Sequence, residues 1–270
     1  MVKRPTILLS NDDGIEAPGL LSLWRALREA DIADLVIIAP SREQSGVGVG
    51  ITWNRPMQIR QVDWADNTPA WSVDGTPADC IKLGARVILD FHPDFIISGI
   101  NPGSNAGRNI LHSGTIGAVI EGVFRGIPGA AISCENIENP NFHVAEKTIA
   151  MVVEYLFEHP LPSGSFLNVT YPHSAQNEVK GFKLTRQGKA RWVEDPSLHC
   201  ETEHGPQYWL GGKLEDEPEE GESDISYLKE GYMTAVPIHV HDLTDSNELK
   251  RRRDAFEDFF SKKSRSSSIK

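Results

Sequence analysis

Two short, wholly apolar runs near the start, Thr6 to Ser10 and Leu35 to Ala39, narrow the fold more than any other feature of the sequence. Runs without polar alternation belong to strands covered on both faces, as in parallel sheets. Between them, after Pro18, Leu20, Leu21, Leu23, Trp24 and Leu27 recur at helical spacing. Two strand-to-helix steps within forty residues predict a doubly wound α/β sheet.

The alternation continues downstream. A Gly-rich stretch, Ser45 to Gly50, leads to extended segments around Ile51 to Val62 and Ala70 to Val73, which can pair as a hairpin. A helix is expected from near Pro77, then a strand at Asp94 to Ser98 and a long polar loop from Gly99 to Thr115. A helix through Ile116, Ile120, Val123 and Phe124 follows, then a strand at Ala130 to Ser133, one helix over Asn141 to Glu158 and a strand at Phe166 to Val169. Beyond about residue 170 the pattern weakens. Gly181 to Thr185, Tyr208 to Leu210 and Tyr232 to Val240 read as strands, and Glu215 to Asp224, where seven of ten residues are acidic, as a solvated loop. The expectation is one α/β domain over 1–249, its core ending near 170 and its remainder an irregular α+β elaboration, followed by a basic segment, 250–270, with a frayed helix and a disordered tail.

Composition bounds the partners. The formal charge is −11, and eight Lys or Arg against three acids from Lys250 onward give the tail +5, leaving −16 on the body. So acidic a body argues against a general nucleic-acid or anionic-membrane binder, because such partners are held by neutralising phosphates. Cys80, Cys134 and Cys200 are odd in number and widely spaced, which favours neither a disulfide framework nor a thiolate zinc site. A reducing cytoplasm is expected, and the apolar run after Met1 is too short for a signal peptide or a membrane span.

Three places could carry chemistry. Asn11-Asp12-Asp13-Gly14 sits where the first strand ends, the edge at which open α/β sheets bind ligands. Adjacent carboxylates there need a cation, hydrogen bonds or solvent; the doublet alone fits an oxygen-ligated Mg²⁺, Mn²⁺ or Ca²⁺ site and a plain Asp-Gly turn about equally. Ser113-Gly114-Thr115 opens a helix after a polar loop, so its hydroxyls and free N–H groups suit either an anion or simple N-capping. Gly46, Gly48 and Gly50 lack the spacing of a dinucleotide loop, which discounts a nicotinamide cofactor, and His112 reads as a structural hydrogen-bonder.

In order along the chain, Leu8-Leu-Ser-Asn-Asp-Asp-Gly-Ile15, Ala39-Pro-Ser-Arg-Glu-Gln-Ser-Gly46, Gly75-Thr-Pro-Ala-Asp-Cys80, Ser98-Gly-Ile-Asn-Pro-Gly-Ser-Asn105 and His112-Ser-Gly-Thr115 resemble the motifs of the SurE (survival protein E) family of metal-dependent 5′/3′-nucleotidases. The similarity continues through Leu167-Asn-Val169 and Glu230-Gly-Tyr-Met-Thr-Ala-Val-Pro-Ile238. The resemblance implies a Rossmann-like, mostly parallel sheet and a smaller C-terminal part used in oligomerisation, as a homodimer or homotetramer. It further implies phosphate release from nucleoside monophosphates, with some members acting on short polyphosphate. It places one divalent ion per subunit, Mg²⁺ or Mn²⁺, on Asp12, Asp13, Ser45 and Asn101, with Asp12 and Asn101 catalytic, and substrate phosphate on Asn105, Ser113, Gly114 and Thr115. Ser104 stands where many relatives have proline, and the basic tail is a further departure. A nucleotide-sugar transferase or a non-enzymatic nucleotide-binding regulator are the alternatives; turnover of a lone monophosphate separates them.

Overall fold

A computed structural model describes residues 4–140, 142–173 and 178–267. It divides into two compact units, residues 1–239 and 240–270. In the first unit, β1 (Thr6–Ser10) leads to α1 (Pro18–Ala30), β2 (Asp34–Pro40), β3 (Ile59–Gln61), β4 (Ala70–Val73), α2 (Pro77–Leu83), β5 (Phe95–Pro102), α3 (Gly114–Phe124) and β6 (Gly129–Cys134). Then come α4 (Phe142–Glu146), α5 (Ile149–Glu158), β7 (Ser165–Tyr171), β8 (Phe182–Leu184), β9 (Arg191–Val193), β10 (Ser197–Thr202), β11 (Gly205–Trp209), β12 (Lys213–Glu215), α6 (Asp224–Lys229) and β13 (Met233–His239).

Nine of these strands form one sheet in the order β3-β4-β2-β1-β5-β6-β7-β13-β8. From β4 to β7 every pairing is parallel, whereas β3 on β4 and β13 on β7 are antiparallel. Every residue of β1 is buried, as its apolar sequence requires of a strand with parallel neighbours on both sides. Helices α1, α4 and α5 pack together, and α2 packs with α3. The stripe of α1 buries Leu20, Leu23, Trp24 and Leu27 against Ile7, Leu9 and Ile97 in one continuous core. A capping box starts α2: Thr76 Oγ1 accepts from the Asp79 N–H while an Asp79 carboxylate oxygen accepts from the Thr76 N–H, and Pro77 occupies the first turn.

From β1 the chain moves to β2 on one side, whereas β5, β6 and β7 build outward on the other. The strand order therefore reverses between β1 and β5, and their carboxyl ends diverge into a crevice, which is where ligands enter such sheets.

Departures from the sequence expectation have local causes. The single helix expected over Asn141 to Glu158 is two, α4 and α5; Asn141 itself lies outside the described residues. At the break, the Thr148 hydroxyl bonds the Tyr171 hydroxyl across 2.9 Å, tying the connection to the sheet. The carboxyl-terminal part is less separate than expected, since β8 and β13 extend the main sheet. The acidic stretch is not all solvated either: Asp224 is 1% exposed and accepts from the backbone N–H groups of Gly107, Gly188 and Ile225. Two small ribbons pair β10 with β11 and β9 with β12; the strand expected at Tyr208 to Leu210 overlaps β11, whereas β9, β10 and β12 are not announced by the sequence.

In the second unit, α7 spans Ser246–Ser267 and so begins before the expected Lys250, because Asp245 Oδ1 accepts from the N–H groups of Asn247 and Glu248 at its start. The last three residues lie outside the described ones. No helix among the described residues is long and apolar enough to cross a membrane.

Candidate active site

The crevice between β1 and β5 is a cavity of about 700 Å³, within the range of small-molecule sites. Asp12, Asp13, Ser45, Asn101, Asn105 and Ser113 all line it, so residues from four separate sequence motifs converge on one space. A smaller cleft of about 240 Å³ lies at the amino ends of β5 and β6, and its one carboxylate, Asp94, already accepts from the Thr6 N–H across 2.8 Å.

Asn11 builds the turn that presents the doublet: its amide N–H donates to Gly14 O at 2.9 Å and its Oδ1 accepts from the Gly14 N–H at 3.2 Å. Asp12 is 3% exposed. Its Oδ1 accepts from Thr115 Oγ1 at 2.5 Å, and the Gly114 and Thr115 N–H groups also pull its pKa down, yet burial wins and the carboxyl sits above its ordinary value. A side chain on Gly114 would bring its Cβ within 2.7 Å of Asp12 Cβ, so glycine is what lets the helix approach so closely. Asp13 is pushed up to about 7, first by burial and then by the neighbouring charges of Asp12 and Glu43. Its Oδ2 is buried and has no hydrogen-bond partner among the described residues.

These features bear on the two readings of the doublet. A turn satisfies its own polar atoms; this one holds a desolvated carboxylate pair with an orphaned oxygen, a cost that a cation would relieve. Asn101 donates from its amide N–H to Gly103 O at 2.7 Å, and no hydrogen bond among the described residues engages its Oδ1. Ser45 donates to Glu43 Oε1 at 2.9 Å, which leaves its oxygen lone pairs as acceptors. All four are hard oxygen donors, suited to Mg²⁺ or Mn²⁺, and only two carry charge. Among the described residues no group of three or more His, Cys, Asp or Glu side chains is placed to hold a metal, so a cation here would depend on the neutral Ser45 and Asn101 as well.

The start of α3 faces both the cavity and the protein's own carboxylate. Ser113 caps the helix, its Oγ accepting from the Ile116 N–H at 3.2 Å while its own hydrogen stays free to donate into the cavity. Gly114 and Thr115, by contrast, turn their polar groups to Asp12, and Thr115 is 0% exposed. The helix N-terminus thus favours a negative charge belonging to the protein itself.

Asn105 is held from behind. Its carbonyl accepts from Asn168 Nδ2 at 3.0 Å and Gln187 Nε2 at 3.2 Å, and Gln187 also donates to Gly107 O at 2.6 Å. Asp224 secures the next turn through the Gly107 N–H. The Asn105 Nδ2 group is buried without an acceptor among the described residues, so it is available as a donor to a ligand in the cavity it lines. His112 differs from its sequence reading: the side chain is exposed on the cavity wall and its ring makes no hydrogen bond among the described residues, although its carbonyl accepts from the Gly48 N–H. Glu43, Asn109, Ile137, Trp192 and Leu214, none of them singled out by the sequence, also line the cavity. Glu43 lies inside the second motif, between Ala39 and Gly46, whereas no short motif marks the other four, which come from connecting segments and from β9 and β12.

A mostly parallel α/β sheet with an acidic, strand-end cavity at its switch point defines the general class. Comparison with known proteins makes it specific. Residues 7–194 match the family model of Survival protein SurE. The chain is 45% identical over 261 residues to the 5′-nucleotidase SurE of Protochlamydia amoebophila, a match covering 96% of this chain and 99% of that one. It is 36% identical to the protein of the same name from Thermosipho africanus, over 93% of this chain and 98% of the other. The crystal structure of the SurE protein from Aquifex aeolicus superposes with a TM-score of 0.78 at 36% identity, covering 94% of this chain and all of that one. The chain belongs to the SurE family.

Proposed function

We propose that this protein is a divalent-metal-dependent nucleotidase that releases phosphate from nucleoside 5′- or 3′-monophosphates, with short polyphosphate as a lesser substrate. The nucleotidase activity accords with the names its relatives carry. The observation that carries the metal dependence is the buried Asp12–Asp13 pair, with its orphaned Asp13 Oδ2, opening on a cavity large enough for a nucleotide.

Asp12, Asp13, Ser45 and Asn101 are the proposed ligands of one Mg²⁺ or Mn²⁺. When bound, such an ion neutralises phosphate charge and makes an attacking water more acidic. Thr115 and the α3 N-terminus hold Asp12 in a fixed orientation, so its carboxylate is already placed before substrate arrives. We assign Asp12 the proton-moving role at the attacking water, with Asn101 beside it, and treat direct attack by Asp12 as the alternative that isotope incorporation from labelled water distinguishes. Asn105 Nδ2 and the Ser113 hydroxyl are the donors for phosphate oxygens. Gly114 and Thr115, expected at the phosphate, are reassigned to positioning Asp12.

We further propose a cytoplasmic homodimer or homotetramer acting on small nucleotides, with neither nucleic acid nor membrane as partner. The acidic body supports the last two exclusions. The experiment is a screen of nucleoside monophosphates for released phosphate, with metal-stripped protein against added Mg²⁺, Mn²⁺ and Ca²⁺. Release restored by Mg²⁺ or Mn²⁺ is expected; full activity in stripped protein, or none with any monophosphate and metal, contradicts the reading.

A further inference from the structure

Besides the polar residues gathered at the phosphate, the cavity lining carries apolar side chains. Trp192 lies on β9 directly across from Leu214 on β12, and both line the same cavity as Asp12 and Asp13. Directly opposed residues of an antiparallel pair share a face, so the ribbon presents an aromatic and an aliphatic side chain side by side. Ile137, on a loop that lines the same cavity, is 62% exposed. Trp192 and Leu214 are also over a third exposed, so this apolar surface is open to a ligand instead of being consumed by packing.

The indole is built in place. Its Nε1–H donates to Gly211 O at 2.9 Å, which satisfies its one polar atom and fixes the ring's rotation. Gly212 lies so close that a Cβ there would fall 2.3 Å from Trp192 Nε1 and 2.9 Å from Cε2, so the chain makes room for the ring with a glycine. The ribbon is in turn fixed to the phosphate end: the Arg108 N–H donates to Ala190 O at 2.7 Å, two residues before Trp192, on the segment that follows Asn105. A ring locked in this way loses little rotamer freedom when a flat ligand stacks on it.

We propose that Trp192, supported by Leu214, is the residue that recognises the nucleobase, by stacking, and that it makes the enzyme prefer nucleotides to phosphomonoesters without an aromatic base. The inference rests on the nucleotidase reading above and deepens it. Stacking uses the π-face common to every base, so Trp192 selects for the presence of a base and discriminates weakly among bases. The phosphate donors Asn105 and Ser113 do not distinguish a nucleotide from a sugar phosphate; the ribbon does.

The test compares adenosine 5′-monophosphate with ribose 5-phosphate, at one fixed metal concentration, in wild type, Trp192→Ala and Trp192→Phe. Wild type should favour the nucleotide. Trp192→Ala should raise KM for the nucleotide roughly tenfold or more, with kcat nearly unchanged and ribose 5-phosphate kinetics unaffected, while Trp192→Phe retains most of the preference. A readout without turnover accompanies it: saturation-transfer NMR from the base protons of the metal-free nucleotide complex, present in wild type and lost in Trp192→Ala. Equal losses on both substrates, no change on the nucleotide, or a wild type indifferent to the base overturns the stacking role while leaving the phosphatase reading intact. A wild type that releases phosphate from neither compound overturns the nucleotidase reading itself.

Discussion

The two walls of the cavity are made in opposite ways. One is the sheet edge: Asp12, on the turn that ends β1, and Thr115, on α3, are buried and hydrogen-bonded to each other, and β1 has a parallel neighbour on both sides. The other is a three-residue ribbon and a loop, where Ile137, Trp192 and Leu214 are exposed and the pairing is only three residues long on each strand. Chemistry at developing charge needs groups that do not reorganise, whereas recognition of a base tolerates softer support. Substitutions on the first wall should therefore act on kcat, and those on the second on KM.

The largest effect is expected from Asp12→Asn. Turnover should fall by roughly 10²-fold or more. The Tm of the metal-free protein should hold or rise, because the carboxylate removed is one that burial already disfavours. Steady-state kinetics beside a thermal melt checks both halves; unchanged kcat removes Asp12 from the reaction. Thr115→Val comes next. It deletes the hydroxyl on Asp12 Oδ1 with little change of volume, and kcat should drop about 10- to 100-fold with KM nearly constant. A KM effect without a kcat effect would return Thr115 to the phosphate site.

Asp224→Ala should act on stability first. It leaves the N–H groups of Gly107, Gly188 and Ile225 without their acceptor in a buried place, costing about 1–3 kcal/mol in denaturant melts, and it loosens the turn behind Asn105, so KM should rise as well. The smallest contrast is in substrate size. With −16 on the body, monophosphates should outcompete triphosphates and single-stranded oligonucleotides in kcat/KM, and a tenfold win for either of the latter means that the cavity is more basic than its lining.

The first wall was legible in the sequence and the second was not, for a physical reason. Burial between parallel strands demands apolar runs, so β1 and β2 could be placed, and the doublet at the end of β1 stood out because carboxylates there are costly. The residues gathered from the motifs, Asp12, Asp13, Ser45, Asn101, Asn105 and Ser113, share one cavity. Thr115 was read correctly as a polar helix start, but its partner, 103 positions earlier, is fixed by tertiary packing that no local pattern encodes. Trp192 carries no periodic signal in a three-residue strand, and the burial of Asp224 was hidden inside a run that reads as solvated acid.

The assignment of Asp12 and Asp13 to one divalent cation is tested most directly by calorimetric titration of metal-stripped protein with Mn²⁺. Wild type should take up one ion per chain with release of protons, since Asp13, pushed up to about 7, is partly protonated near neutral pH, and the Asp12→Asn, Asp13→Asn double variant should take up none. Undiminished one-to-one binding by the double variant would place the ion elsewhere and contradict the site.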